Sequence, residues 1–303
     1  MSERDAATPA DMTVACIGLG KMGSGIAHNV LAAGFDTVVW NRSDAKTAAF
    51  VEAGARSAAS PAEAVANADV VVSCLFDDAS VLAATAGPDG IVQGMRTDAV
   101  HVGTTTVSPE CTRQLVAAHQ AHGSGYAAAH VLGRPDVAEA GELVVLAAGP
   151  DDVIGRARAV LDAFSARVLV VGDDPQQATH AKLIANYTLV SVLELIGEVY
   201  AWTEKAGVDK AVVQGMLDVM LPGPATVAYN QRIFDRSFEP GGFALAGGLK
   251  DVGMMLAAAG EVQAPLPIGN VVRDRLVTAM NHGLGDVDWA ALTEITREAA
   301  GLE

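Results

Sequence analysis

An apolar run that breaks into spaced glycines places the tightest limit on how this chain can fold. Residues 14–17, Val-Ala-Cys-Ile, read as a buried strand, and they run into Gly18-Leu19-Gly20-Lys21-Met22-Gly23. A helical pattern follows through Ala27, Val30 and Leu31. Strand, glycine turn and helix in this order are what a dinucleotide pyrophosphate requires. The first glycine permits the tight turn, the second lets backbone approach the phosphates, and the third lets helix and strand pack closely. The helix N-terminus then aims its unpaired N–H groups at the anion. The same residues without a ligand would make only a tight turn, so the reading gains weight from what comes next. A second strand arrives at Thr37 to Trp40.

That strand ends at Asn41-Arg42-Ser43. About 20 residues past the glycines, a carboxylate commonly holds the ribose hydroxyls of NAD. Position 41 carries none. Arg42, Ser43 and Lys46 gather there, with Asp44 among them. A guanidinium grips a phosphate through two parallel hydrogen bonds, whereas a carboxylate repels it. The expected cofactor is NADP(H), favoured over NAD(H), bound by Gly18, Leu19, Gly20, Lys21, Met22, Gly23, Asn41, Arg42, Ser43 and Lys46.

The 303 residues suggest two domains of ordinary size, and half of them are hydrophobic. The formal charge is −16, from 36 acidic and 20 basic side chains. Nucleic acid and anionic membranes need a basic face, so neither is expected as a partner. The three cysteines, Cys16, Cys74 and Cys111, are odd in number and lack metal-ligand spacing, which suggests a reducing compartment. No metal is expected. The start of the chain is polar and has no signal-peptide pattern, and no apolar run of membrane-spanning length is evident. The expectation is a cytoplasmic protein whose residues 1–11 are disordered.

Strand and helix patterns alternate to about residue 172. Ser60-Pro61 and Ser108-Pro109 read as helix starts with a serine cap and proline in the first turn. Val70 to Leu75 reads as a parallel strand buried on both faces, whose end, Leu75-Phe76, is expected over the cofactor. Ala99 to Val102, Tyr126 to Val131, Leu143 to Ala148 and Val168 to Val171 read as further strands. The pattern predicts an α/β fold, with a doubly wound parallel Rossmann sheet over residues 12–173. From 174 to 303 strand patterns cease. A long helix, from about Gln176 to Ala206, leads into an all-α domain broken at Pro222-Gly223-Pro224, Pro240-Gly241-Gly242 and Pro265-Leu-Pro267. A helical domain this small has difficulty burying itself alone, which points to a homodimer formed through it.

Lys182 and Asn186 lie four apart on the long helix and share a face among apolar neighbours. Lysine in such a setting acts as an acid or base, protonating an oxygen as hydride arrives at a carbonyl. On spacing alone it reads more readily as an ordinary helix lysine with its head in solvent, which is what most lysines are. Asn186 would hold the same oxygen or orient the ammonium. Thr105 and Thr106 offer hydroxyls to substrate, and Thr105 to the nicotinamide amide. His130 is the histidine placed nearest the pocket.

Together these segments resemble the β-hydroxyacid dehydrogenase family, which includes the 6-phosphogluconate dehydrogenases, from residue 13 to about residue 300. The resemblance rests on Gly18 to Gly23, Asn41-Arg42, Thr105-Thr106 with Ser108-Pro109, Lys182 with Asn186, and Lys250-Asp251. It implies a catalytic Lys182 assisted by Asn186, a cofactor contact from Lys250, and a dimer sharing helices. The chain departs from the family's Pro-Val-Ser-Gly-Gly substrate segment, which here reads His130-Val131-Leu132-Gly133-Arg134. Gly133-Arg134-Pro135-Asp136 is instead similar to imine reductases and reductive aminases, which generally lack the lysine. His130, Leu132, Gly133 and Arg134 are therefore the expected substrate contacts beside Thr105, Thr106, Lys182 and Asn186. An ammonium at 182 would stabilise a developing alkoxide and repel an iminium, which favours a small aldehyde or keto acid over an imine as substrate.

Overall fold

The computed structural model describes residues 9–302. The expected disordered start lies outside the described residues from 1 to 8, while Pro9–Asp11 form a short 3-10 turn. The chain divides into two compact units, the first ending at Lys182 and the second beginning at Leu183. The sequence reading puts its boundary nine residues earlier, at the end of the last strand.

The first unit is built on eight strands: β1 (Thr13–Ile17), β2 (Asp36–Trp40), β3 (Arg56–Ser57), β4 (Val70–Ser73), β5 (Val100–Gly103), β6 (Gly125–Leu132), β7 (Leu143–Ala148) and β8 (Ser165–Gly172). Between them run α1 (Lys21–Ala32), α2 (Ala48–Glu52), α3 (Pro61–Val65), α4 (Asp78–Ala86), α5 (Ile91–Gly94), α6 (Pro109–His122), α7 (Pro135–Glu139) and α8 (Asp151–Ala163). The sheet order is β3-β2-β1-β4-β5-β6-β7-β8. The first six strands are parallel and double back at β1/β4, the topological switch where such sheets bind ligands. β7 is antiparallel to β6, and β8 runs parallel to β7. The expected doubly wound parallel sheet is thus present, with one antiparallel pair, β6–β7, among its later strands.

Alternation along β1 explains the two cores of this sheet. Val14 and Cys16 pack with Ile26 and Val30 on one face, and Ala15 and Ile17 pack with Val65, Val71 and Ile91 on the other. Both expected caps form: Ser60 accepts from the Glu63 N–H at 3.1 Å and Ser108 from the Cys111 N–H at 3.0 Å.

Helix α9 (Pro175–Ala206) begins in the first unit and continues into the second. The second unit then holds α10 (Lys210–Met220), α11 (Pro224–Asp235), α12 (Leu245–Glu261), α13 (Pro267–Asn281) and α14 (Leu292–Ala299). The proline-glycine breaks fall between these helices, as their missing N–H groups and fixed φ demand. The core gathers Leu193, Ile196 and Tyr200 of α9 with Leu217, Leu245, Val252, Met255, Val272, Leu276 and Trp289. Tyr229 belongs to this core, where its hydroxyl accepts from Trp289 Nε1 at 2.9 Å.

By length and composition α9 would qualify as a membrane span, with a mean hydropathy of 1.3 over its most apolar stretch. The sequence reading misses this because polar residues interrupt the run. The apolar residues Leu183, Val190, Leu193 and Ile196 instead face the helical core. Glu194 is buried with them, accepting from Thr296 at 2.7 Å and Arg275 at 3.1 Å.

Candidate active site

The glycine turn is shaped by backbone crowding. Gly18 has φ +97°, and a Cβ there would lie 2.3 Å from the Cys74 carbonyl oxygen. A Cβ on Gly23 would lie 2.1 Å from the Gly18 oxygen. These two glycines are required by the protein itself. Gly20 differs: a Cβ there meets nothing within 4 Å. Open space above Gly20, at the N-terminus of a twelve-residue helix, is the space a pyrophosphate would fill. The residues present therefore fit a dinucleotide.

Asn41 locks this turn. Its Oδ1 accepts from the Leu19 N–H at 2.9 Å, and its Nδ2 donates to the Ser43 carbonyl at 3.0 Å. The Leu19 side chain is only 1 % exposed and packs in the sheet core. Leu19 and Asn41, both expected as cofactor contacts, thus act first on each other. Lys21 is exposed beside the turn, and Met22 is half-buried against the core. Arg42, Ser43 and Lys46 are all exposed at the end of β2, as a phosphate grip needs.

The loops after β4 and β5 are tied together. Thr105 Oγ1 accepts from the Leu75 N–H at 2.7 Å, and Asp78 takes both the N–H and the hydroxyl of Ser108. Thr105 is buried, so its hydroxyl first fixes the loop, whereas Thr106 is half-buried. Leu75 is half-buried, and Phe76 stands out of the loop with 69 % of its surface exposed.

His130, expected at substrate, is instead buried within β6, with its Nε2 3.0 Å from Thr179 Oγ1. Burial and the nearby Lys182 charge push its pKa down to about 4, so the ring is neutral at pH 7. Leu132 is half-buried and Gly133 exposed at φ +142°. Arg134 places Nε 3.5 Å from Asp136 Oδ1. Lys182 is half-buried on α9.

In the second unit, Asn186 Nδ2 donates to Asp251 Oδ2 at 3.0 Å, and Lys250 Nζ lies 3.0 Å from Asp251 Oδ1. Asp251 is 2 % exposed. A carboxylate only accepts, so it dictates which end of the Asn186 amide faces it. The Lys250-Asp251 pair is named from sequence, but only Lys250 is given a role there, because an adjacent Lys-Asp pair reads as surface charge. Helical periodicity carries the missing signal: Asp251 falls on the face of Gly247, Gly248, Val252, Met255 and Ala258, all buried.

Cys16 and Cys111 have thiols pushed up to about 12, chiefly by burial, and Cys74 is raised by the same cause. None is a nucleophile at neutral pH. Among the described residues, no cluster of three or more His, Cys, Asp or Glu is placed to hold a metal ion.

The Rossmann sheet, the open turn at Gly20 and the helical unit that follows fit a dinucleotide-binding protein, and the relatives of this chain make it a member of an oxidoreductase family. A family model for the NAD binding domain of 6-phosphogluconate dehydrogenase matches residues 13–172, and one for the NAD-binding of NADP-dependent 3-hydroxyisobutyrate dehydrogenase matches residues 177–296. The chain belongs to the β-hydroxyacid dehydrogenase family, within the 6-phosphogluconate dehydrogenase-like group. It is 38 % identical to an uncharacterized oxidoreductase of Bacillus subtilis, YfjR, over 93 % of this chain and 98 % of that one. It is 28 % identical to the 3-sulfolactaldehyde reductase of Escherichia coli, over 95 % and 97 %. The 3-hydroxyisobutyrate dehydrogenase structure from Salmonella typhimurium superposes with a TM-score of 0.83 at 25 % identity, covering 94 % and 100 %. An imine reductase from Myxococcus stipitatus in complex with NADP+ superposes less closely, at 0.63 and 22 % identity, covering 94 % and 99 %, and shares the fold alone.

Proposed function

We propose that this protein is an NADPH-dependent reductase of a small aldehyde or keto acid, with Lys182 as proton donor. The observation that carries the reading is a lysine on α9 one turn before Asn186, whose amide is anchored by the buried Asp251. When bound, the reduced nicotinamide supplies hydride to the carbonyl carbon. As negative charge grows on the carbonyl oxygen, the Lys182 ammonium stabilises it and gives up its proton there. Asn186, its Nδ2 held by Asp251, leaves Oδ1 as the acceptor end that orients the ammonium. Exposed Arg42, Ser43 and Lys46, with no carboxylate at 41, support a preference for the 2′-phosphate of NADP(H). Arg134 is the cation available to bind an acid group on the substrate. A relative named as reducing a sulfonated aldehyde is consistent with an anionic substrate.

NADPH and NADH consumption against glyoxylate, succinic semialdehyde and a cyclic pyrroline tests this directly. Turnover of an acid-bearing aldehyde, faster with NADPH, is the expected result. Lys182→Ala then lowers kcat by a factor on the order of 10²–10⁴ and leaves NADPH affinity within a few-fold. Equal loss of both, or no loss, removes Lys182 from the chemistry. The second reading, imine reduction, is favoured by Gly133-Arg134-Pro135-Asp136, and turnover of the pyrroline alone would establish it. NADPH binding with no turnover of any of the three would make this a dinucleotide-binding protein without catalysis on them.

The homodimer is proposed on the exposed apolar stripe of α9. Ile184, Thr188, Leu195 and Trp202 are all exposed, and their spacing of four, seven and seven keeps them on one side of the helix. On α10, Val212, Met216, Val219 and Met220 are likewise exposed. A second copy offers each stripe a matching one through a two-fold axis. Cytoplasmic residence is part of the same proposal.

A further inference from the structure

The segment that departs from the family's substrate segment begins at His130, and the structure shows that side chain turned inward. Its ring is 1 % exposed, and Thr179 and Thr112 are each 0 % exposed. His130 Nε2 lies 3.0 Å from Thr179 Oγ1, which lies 2.8 Å from Thr112 Oγ1, which donates to the Ser108 carbonyl at 3.3 Å. One buried polar line thus joins β6, the start of α9 and the first turns of α6. Thr179 stands three residues before Lys182, so the two share a face of α9. The ring also meets the backbone of Thr104 and Thr105 just after β5.

Burying an imidazole costs stability unless its hydrogen bonds are met, and an apolar side chain on β6 would avoid that cost. The hydroxyl of Thr179 is likewise unneeded by α9 itself. Together they tie the helical turn that carries Lys182 to β6. Because the ring is neutral, it does so without placing a second cation beside the ammonium.

We propose that His130 is a positioning residue for Lys182, acting through Thr179. The proposal rests on the reading of Lys182 as proton donor, and two independent measurements separate them. The first needs no substrate: acetic anhydride labels the lysines of the intact protein, and mass spectrometry compares Lys182 with exposed Lys205. His130→Phe, which fills the space without the hydrogen bond, is expected to change that ratio by about threefold or more, as is Thr179→Val. His130→Gln, which can still bond Thr179, is expected to restore it. Thr179→Val tests the same bond should His130→Phe fail to fold. The second measurement uses whichever aldehyde is turned over. There His130→Phe lowers kcat roughly ten- to a hundredfold, as a displaced catalytic group does, with NADPH affinity within about twofold. An unchanged labelling ratio in both His130→Phe and Thr179→Val, or no rescue by glutamine, overturns the positioning role. Full turnover in Lys182→Ala overturns the proton-donor reading instead, whatever the labelling shows.

Discussion

At the scale of single residues, the glycine turn separates what the fold needs from what the cofactor needs. Gly23→Ala would press its methyl against the Gly18 oxygen, where a Cβ would lie 2.1 Å away. It is expected to lower the melting temperature by several degrees and to weaken NADPH binding with it. Gly20→Ala meets open space and has φ −73°, which alanine adopts freely. It is expected to melt within about 2 °C of the parent and yet lose NADPH affinity tenfold or more, because the methyl stands where the pyrophosphate would lie. Thermal melts paired with NADPH titration check both. If Gly20→Ala binds normally, the dinucleotide does not approach this turn. The same distinction governs Asn41, which first serves the Leu19 N–H and only then any ligand.

At the scale of elements, local pattern and tertiary placement were unequally legible. The β1–turn–α1 unit, the span of α9 and the two serine caps follow from spacing, because each is decided by residues within a few positions. The direction of β7 does not. An apolar run such as Leu143 to Ala148 reads identically in either orientation, and pairing with β6 decides it. Buried polar partners escape for a related reason: Asp251, Thr179 and His130 acquire their roles from residues 49 to 65 positions away.

A second such network lies inside the sheet unit, where His101 Nδ1 is 3.0 Å from His119 Nε2, His101 Nε2 is 2.8 Å from Ser73 Oγ, and His119 Nδ1 is 2.9 Å from Ser124 Oγ. Burial, with each ring's histidine neighbour adding to it, holds His101 well below the usual imidazole range and His119 at about 4. An unfolded imidazole takes up its proton near pH 6.5, so below that the unfolded chain binds more protons than the folded one. Stability is therefore expected to fall as pH drops from about 6.5 towards 4, by about 1.4 kcal/mol per pH unit for each such ring. Melting temperature measured between pH 7 and 4 tests this, and His119→Asn should make the slope shallower. A melting temperature that stays flat down to pH 4.5 would show that these rings are not held neutral.

At the scale of the whole molecule, the exposed stripe on α9 predicts self-association. Ile184 and Trp202 lie eighteen residues apart in sequence, about 27 Å along the helix, which is room for a long helix–helix contact. Size-exclusion chromatography with light scattering at micromolar concentration should give the mass of two chains. Leu195→Glu and Trp202→Glu together should give the mass of one, with the sheet unit still binding NADPH. A parent protein that runs as a monomer would require another explanation for these exposed side chains.

Because α9 belongs to both units, inheritance of parts is constrained in this protein. Suppose the helical unit were exchanged with that of a relative to obtain a new substrate range. A splice at residue 173, the natural place judged by strands and loops, would carry Lys182 away from His130 and replace Thr179 by whatever the donor holds there. A splice just after Lys182 would keep all three from one parent and leave Asn186 and Asp251 together from the other. The seam for recombination thus runs through the middle of a helix, and chimaeras joined there should work more often than those joined in the loop.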